Sequence, residues 1–316
     1  MIDIEDLVTR YVAFRRTLGD QYIITERALR SFCRAIGPRT PITRIRLKAV
    51  TAYLAGTGPI TRLWHFKHTA LKGLFRFAVS RGLLKKAPLP TEVPKRPPTL
   101  VPYIYSRAEI RRFLDAIAVF RNPCIRVEPQ TLRAILLLLY GAGLRRGEAL
   151  RLSVTDVDLA NSILTIRNTK FFKSRLVPIG ADLTRVLRDY ARGRAVTHPS
   201  ADASSTFFLD KRGEPVHRCA LDNAFKRLRK HVGLRRSDGG RFQPRLHDLR
   251  HTFAVDRLTA WYRQGADVQR LVYHLSVYLG HDCLAHTQVY LTMIPELLQQ
   301  AHMRFARYAG KEDAHA

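Results

Sequence analysis

From residue 3 to residue 82 apolar side chains recur at helical spacing. Ile4, Leu7, Val8, Tyr11, Val12 and Phe14 crowd one face of a first segment, and Leu63, Phe66, Ala70, Leu71, Leu74, Phe75 and Val79 stripe a later one. Gly58-Pro59 opens that later segment and Gly82 closes it. No alternating run interrupts these stripes, so the pattern predicts an all-α first domain. Trp64 and Phe66 are expected in its core rather than stacked on bases.

The pattern then breaks. Pro88, Pro90, Pro94, Pro97, Pro98 and Pro102 crowd a short stretch, where they prevent helix and favour an extended connection. Helical signals resume at Ser106-Arg-Ala-Glu109, a capping box in which the serine oxygen and the glutamate satisfy free amides at a helix start. The expected organisation is a helical domain over residues 1–87, a Pro-rich linker over 88–105 and a second domain over 106–316.

In that second domain Glu128-Pro129 starts a helix that carries the apolar run Ala134 to Tyr140, and Gly141 with Gly143 breaks it. Val154 to Ile179 has strand character, with turns at Leu159 to Ser162 and Thr169 to Ser174. Helices are expected again near Asp182, Arg218, Leu246 and Pro295. A small antiparallel sheet among many helices makes this domain α+β.

Charge narrows the partner. The 316 residues carry a formal charge of +28, which suits a polyanion, and 46% apolar content provides for two globular cores. Composition alone fits a general RNA-binding protein equally well. Placement is more telling, because fourteen Lys or Arg and no Asp or Glu lie between Glu26 and Glu92. Such a face is suited to lie along phosphates, releasing counterions.

The start Met1-Ile-Asp-Ile-Glu-Asp-Leu7 lacks the basic residues and apolar run of a signal peptide, and the run Ala134–Tyr140 is far shorter than the about 20 residues a membrane span needs. The expectation is a cytoplasmic, nucleoid-associated protein of bacterial type with no membrane partner. Cys33, Cys124, Cys219 and Cys283 have neither ligand-pair spacing nor a disulfide framework.

Six polar residues stand in distinctive settings. Arg145 lies in Tyr140-Gly-Ala-Gly-Leu-Arg-Arg-Gly-Glu148, Lys170 in Thr169-Lys-Phe-Phe-Lys-Ser-Arg-Leu-Val-Pro178, His247 and Arg250 in His247-Asp-Leu-Arg-His251, and His281 in Leu279-Gly-His281, with Tyr290 nine residues further on. This set resembles the tyrosine recombinase (phage integrase) family. Its members carry an arginine in a Gly-Leu-Arg-x-x-Glu box, a lysine in a β-hairpin, a His-x-x-Arg box, a Leu-Gly-His box and a tyrosine nucleophile. The resemblance covers roughly residues 106 to 310.

The chemistry fits these residue types. A DNA phosphodiester resists attack because its oxygens are negative and its alkoxide leaves poorly, and arginines can supply the charge that metal ions supply elsewhere. Arg145 and Arg250 are the expected pair on the non-bridging oxygens, with Glu148, three residues after Arg145, holding its guanidinium. His247 and Arg250, at i and i+3 of a predicted helix, project from one face. Tyr290 needs a base or strong positive surroundings, since a free phenol has a pKa of about 10. His247 is the candidate base, and His281 can hydrogen-bond a phosphoryl oxygen.

By the resemblance, Lys170 protonates the departing 5′-oxygen. Phe171-Phe172 stands where the family commonly has a glycine, so Lys173 is the alternative acid. His274 and His286 have no family counterpart and are taken as structural. His251, at i+4 from His247, could suggest a metal pair, but Asp248 stands where the zinc-protease motif needs Glu. Neither metal nor other cofactor is expected.

The resemblance implies a site-specific DNA recombinase that works through a 3′-phosphotyrosine without ATP. Double-stranded DNA with an inverted-repeat site is the expected substrate and a homo-tetramer on synapsed DNA the expected assembly. The apolar stripe Leu297, Leu298, Ala301, Phe305 and Tyr308 would be a terminal oligomerisation helix. About a hundred residues before the catalytic part leave space for one core-binding domain, which fits a simple Xer-like or mobile-element integrase. The rivals are a type IB topoisomerase, a catalytically silent DNA-binding homologue and a metal-dependent nuclease built on the histidines.

Overall fold

The computed structural model describes residues 2–58, 60–97, 101–119, 125–167, 174–199, 205–240 and 242–291, together with positions 299 and 303. The chain divides into two compact units, one over Met1–Thr99 and one over Leu100–Thr169 and Ser174–Ala316. In the first, the apolar stripes form helices α1 (Ile4–Thr17), α2 (Ile23–Ile36), α3 (Leu47–Ala55) and α4 (Arg62–Ser80). Asp3 caps α1 by accepting the Asp6 amide at 2.9 Å. Thr61 caps α4 by accepting from Leu63 at 3.2 Å, so α4 starts past the expected Gly58-Pro59.

Leu7, Val8, Leu29, Phe32, Val50, Leu74 and Phe75 meet in a core that excludes water completely. Each such side chain contributes about 1.5–3 kcal/mol by leaving water. Trp64 belongs to this core, its ring stacked on His68, whereas Phe66 is half-buried. Phe14, Leu63 and Val79 stay exposed because the apolar stripes are wider than the faces the packing covers.

The first helix of the second unit starts as its capping box predicts. Ser106 Oγ accepts the Glu109 amide at 3.2 Å and the Glu109 carboxylate accepts the Ser106 amide at 2.8 Å, opening α5 (Arg107–Val119). The long apolar run lies in α6 (Pro129–Ala142), whose Ile135, Leu138 and Leu139 are sealed from solvent. Against it pack α8 (Ala181–Thr197) and α10 (Leu246–Arg263), while α9 (Arg218–His231) packs on α5 and on the short α7 (Arg146–Leu150).

The sheet is antiparallel in the order β1 (Val157–Asp158), β2 (Ile163–Ile166), β3 (Arg175–Pro178), with Leu164 opposite Val177 and Ile166 opposite Arg175. Leu164, Ile166 and Val177 turn into the core. Val154–Asp156, expected as strand, is a 3₁₀ turn, because Ser153 and Asp156 satisfy each other's polar groups there. The Leu159–Ser162 turn is held by the Asp158 carboxylate, which accepts from the amides of Ala160 and Asn161. Lys170 and Lys173, in the second expected turn, lie outside the described residues.

After α10 the chain forms α11 (Val268–Leu279) and the four-residue α12 (Ala285–Gln288), neither of them among the helices expected from the sequence pattern. Asp267 caps α11 by accepting the Arg270 amide, and Gly280 ends it in the left-handed conformation at φ 68°. Val268, Val272, Leu275 and Leu279 pack on Phe253, Ala254 and Leu258 of α10 and on Tyr290. The helix expected near Pro295 and the stripe from Leu297 to Tyr308 lie outside the described residues. The molecule is mostly helical with a small antiparallel sheet in its second unit, the all-α plus α+β class that the pattern predicts.

Candidate active site

The site is built around the C-terminus of α11. A helix end leaves carbonyls without intrahelical partners and carries the negative end of the helix dipole. Three arginines from distant segments fill that need one carbonyl each. Arg175 of β3 donates Nε to Tyr278 O at 2.9 Å, Arg250 of α10 donates to Leu279 O at 2.8 Å, and Arg145 donates to Gly280 O at 2.6 Å.

Arg145 is placed by the turn before it. Gly143 ends α6 at φ 60°, and a Cβ there would meet Phe253 Cδ1 at 2.4 Å, so only glycine lets the chain turn this tightly against α10. Arg145 then caps α7. Glu148 accepts its backbone amide at 3.0 Å and its guanidinium at 2.8 Å. With 39% of its side chain open, Arg145 is the most accessible of the three arginines.

Glu148, 5% exposed, also takes both terminal nitrogens of Arg175, at 3.1 and 2.8 Å. Burial alone would raise its carboxyl, but Arg175 and then Arg145 bring it down to about 2. The carboxylate is therefore ionised at neutral pH and fixes two guanidiniums at once. Arg250 is 3% exposed and donates also to Gly143 O at 2.7 Å. Burial and the nearby Arg145 charge lower its guanidinium to about 10, which still leaves it a cation at neutral pH.

Tyr290, 3% exposed, follows α12, and its hydroxyl lies 3.1 Å from His251 Nδ1. His281 stacks 6.3 Å from the Tyr290 ring, and its Nδ1 pairs with the buried Thr287 hydroxyl at 2.7 Å. Its Nε2 is thereby the nitrogen left for another partner. His247 sits at the start of α10, edge-on to His251 at 4.8 Å. Desolvation by the surrounding protein first, then positive neighbours, push His247 and His251 to about 4 and His281 to about 3, His247 even though part of its surface is open to solvent, so all three are neutral at pH 7. Burial also raises the Tyr290 phenol, with Arg250 and Arg145 pulling against it.

Arg145, Glu148, His247, Arg250, His281 and Tyr290 thus converge, while Lys170 and Lys173 lie outside the described residues. Three participants are not marked by the sequence motifs. Arg175 lies beside the hairpin lysines without a motif role of its own, Thr287 belongs to no motif, and His251 suggests itself in the sequence only as a metal partner. Two signals were present, the helical i+4 spacing that puts His251 on the His247 face and the strand alternation that puts Arg175 on the same face as the buried Val177. Among the described residues no group of three His, Cys, Asp or Glu is placed to hold a metal ion, and no helix is long and apolar enough to cross a membrane.

Residues 106–295 match the phage integrase family. Over 306 residues, 95% of this chain and 96% of the relative, the sequence is 36% identical to a Sinorhizobium fredii protein named as an integrase/recombinase, y4rB. It is 31% identical to the tyrosine recombinase XerA of Thermococcus kodakarensis over 79% of this chain and 77% of that one. The fold resembles that of the Tn1549 transposon integrase in complex with transposon right-end DNA, with a TM-score of 0.72 and 18% identity over 98% of this chain and all of that one. It likewise resembles lambda integrase, solved as a tetramer bound to a Holliday junction, at a TM-score of 0.66 and 18% identity over 92% of this chain and 77% of that one. With its arginines, histidines and tyrosine gathered at one helix end and its length matched by such relatives, the chain belongs to the phage integrase family of tyrosine recombinases, enzymes that cleave and rejoin DNA.

Proposed function

We propose that this enzyme is a site-specific recombinase or integrase in which Tyr290 attacks a DNA phosphodiester and conserves its energy as a 3′-phosphotyrosine. The observation that carries this reading is the gathering of Arg145, Arg250, His281 and Tyr290 around the end of α11. As Tyr290 Oη bonds to phosphorus, the bond to the 5′-oxygen breaks. Arg145 and Arg250 offset the charge growing on the non-bridging oxygens. His281 donates from Nε2 to one of them when the Thr287 hydroxyl donates to Nδ1, which fixes the required tautomer.

Lys170, with Lys173 as the alternative, protonates the leaving 5′-oxygen. A 5′-hydroxyl from another strand then reverses the step on the phosphotyrosine, so neither ATP nor a metal is needed. Residues 1–87 serve as the core-binding domain, 88–105 as linker and 106–316 as the catalytic domain. The substrate is double-stranded DNA with an inverted-repeat site, held by a homo-tetramer, as the architecture of the family implies.

A nicked suicide substrate tests the reading, because its 5′ fragment diffuses away and traps the covalent adduct. Tyr290→Phe should abolish that adduct and leave specific DNA affinity within about threefold, since only one oxygen is removed. A 3′-linked adduct in the variant, or none in the wild type, would refute it.

A further inference from the structure

Tyr290 must lose a proton when it attacks, and the nitrogen that receives it is a matter of geometry before pKa. The motif alone favours His247, the first residue of the His-x-x-Arg box. The structure places another imidazole at the phenol. His251 Nδ1 lies 3.1 Å from Tyr290 Oη with the ring centroids 5.5 Å apart, whereas His247 packs edge-on against His251 and stays open to solvent.

We infer that His251, one residue beyond the His-x-x-Arg box, is the general base that takes the Tyr290 proton through Nδ1. The inference rests on the recombinase reading and adds to it a catalytic residue outside the six expected ones. In the step, the Oη–H proton passes to His251 Nδ1 while Oη bonds to phosphorus and the 5′-oxygen departs with a proton from the lysine acid. On rejoining, His251 returns its proton to Tyr290 and the lysine recovers its own.

The surroundings set the protonation state that this role requires. The groups that face His251 are His247, Asp248, Arg245 and Arg250 from α10 and its cap, and Tyr290 and His281 from the segment after α11. Burial and the positive members of this set keep the imidazole neutral at pH 7, and in the tautomer protonated at Nε2 it offers the Nδ1 lone pair to the phenol. As His251 becomes an imidazolium, the lysine acid gives its own proton to the 5′-oxygen, so the net charge of the site is unchanged by the step. His247, released from this duty, remains at the open side of the site.

Single-turnover cleavage of the suicide substrate across pH 5 to 10 is the test, with intact wild type, His251→Ala, His251→Gln and His247→Gln. His251→Ala should cleave about 10²- to 10⁴-fold more slowly, the usual worth of a positioned base, and added imidazole should restore part of the rate. His251→Gln, which keeps a polar group and most of the volume, should bind DNA as wild type does and remain slow. In both variants the rate should climb with pH, because the phenol must then ionise unaided. A 5′-bridging phosphorothiolate, whose thiolate leaves without protonation, should not rescue either.

Wild-type speed and pH profile in His251→Gln would overturn the assignment. So would full rescue by the phosphorothiolate, or a slow, imidazole-rescued His247→Gln beside a fast His251→Gln. No adduct with wild type would instead overturn the recombinase reading, and this inference with it.

Discussion

The two units handle positive charge in opposite ways. In the first, Arg44, Arg46, Lys48, Lys72 and Arg76 stand exposed on helices and loops with no acid in the sequence from Arg27 to Thr91. In the second, Arg175 and Arg250 are largely buried, and with Arg145 each is tied to a named carbonyl at the C-terminal end of α11 or its cap and linked through Glu148 or Gly143. Exposed cations attract any polyanion, and their effect is screened by salt. Cations held by backbone carbonyls and a buried carboxylate are preorganised instead, which in the proposed reaction would direct them at one phosphate in one position. The first arrangement is suited to affinity and the second to rate.

Three experiments can break or sharpen this contrast. Arg250→Lys should have the largest effect. Lysine keeps the charge but cannot span Gly143 O and Leu279 O together, so suicide-substrate cleavage should fall by about 10²–10³-fold, as for a lost oxyanion donor. Near wild-type cleavage would show that charge alone suffices in this unit, as it is expected to in the other.

Arg175→Ala comes next and should act on stability. It strips Glu148 of two hydrogen bonds and leaves Tyr278 O without its donor, a loss of about 3 kcal/mol for a broken buried pair. Arg76→Ala in the first unit should stay within about 0.5 kcal/mol. Urea denaturation of the two variants compares them directly, and equal midpoints would mean the Glu148 cluster adds nothing beyond a surface pair.

The smallest effect per residue belongs to the exposed set. Changing Arg44, Arg46, Lys48, Lys72 and Arg76 to Gln together should lower the slope of log affinity against log salt by about 0.9 for each phosphate no longer neutralised, with the cleavage rate of bound complex unchanged. An unchanged slope would place this surface away from DNA.

Much of this is legible in the chain itself. The helical stripes around Leu7 and Leu74, the proline cluster, the Ser106–Glu109 cap and the β-formers at Ile163–Ile166 and Leu176–Val177 announce their elements because the signals are local, a matter of periodicity and caps within a few residues. The motifs around Arg145, His247 and Tyr290 name their residues for the same reason. Helix α11 is harder to see although Val268, Val272, Leu275 and Leu279 repeat at helical spacing, since its start is marked by a single cap residue, Asp267.

What the sequence determined by itself was which residue types this protein has available, and in which elements: an acid-free basic segment, two arginines and two histidines in family motifs, and one tyrosine after Leu-Gly-His. Only the tertiary structure decided their partners. That Glu148 serves Arg175 as well as Arg145, that three consecutive carbonyls at the end of α11 each take one guanidinium, and that the Tyr290 phenol meets His251 all depend on contacts between positions 27 to 135 residues apart. Hydrogen bonds are satisfied in space, and no local pattern records which distant donor reaches a given acceptor.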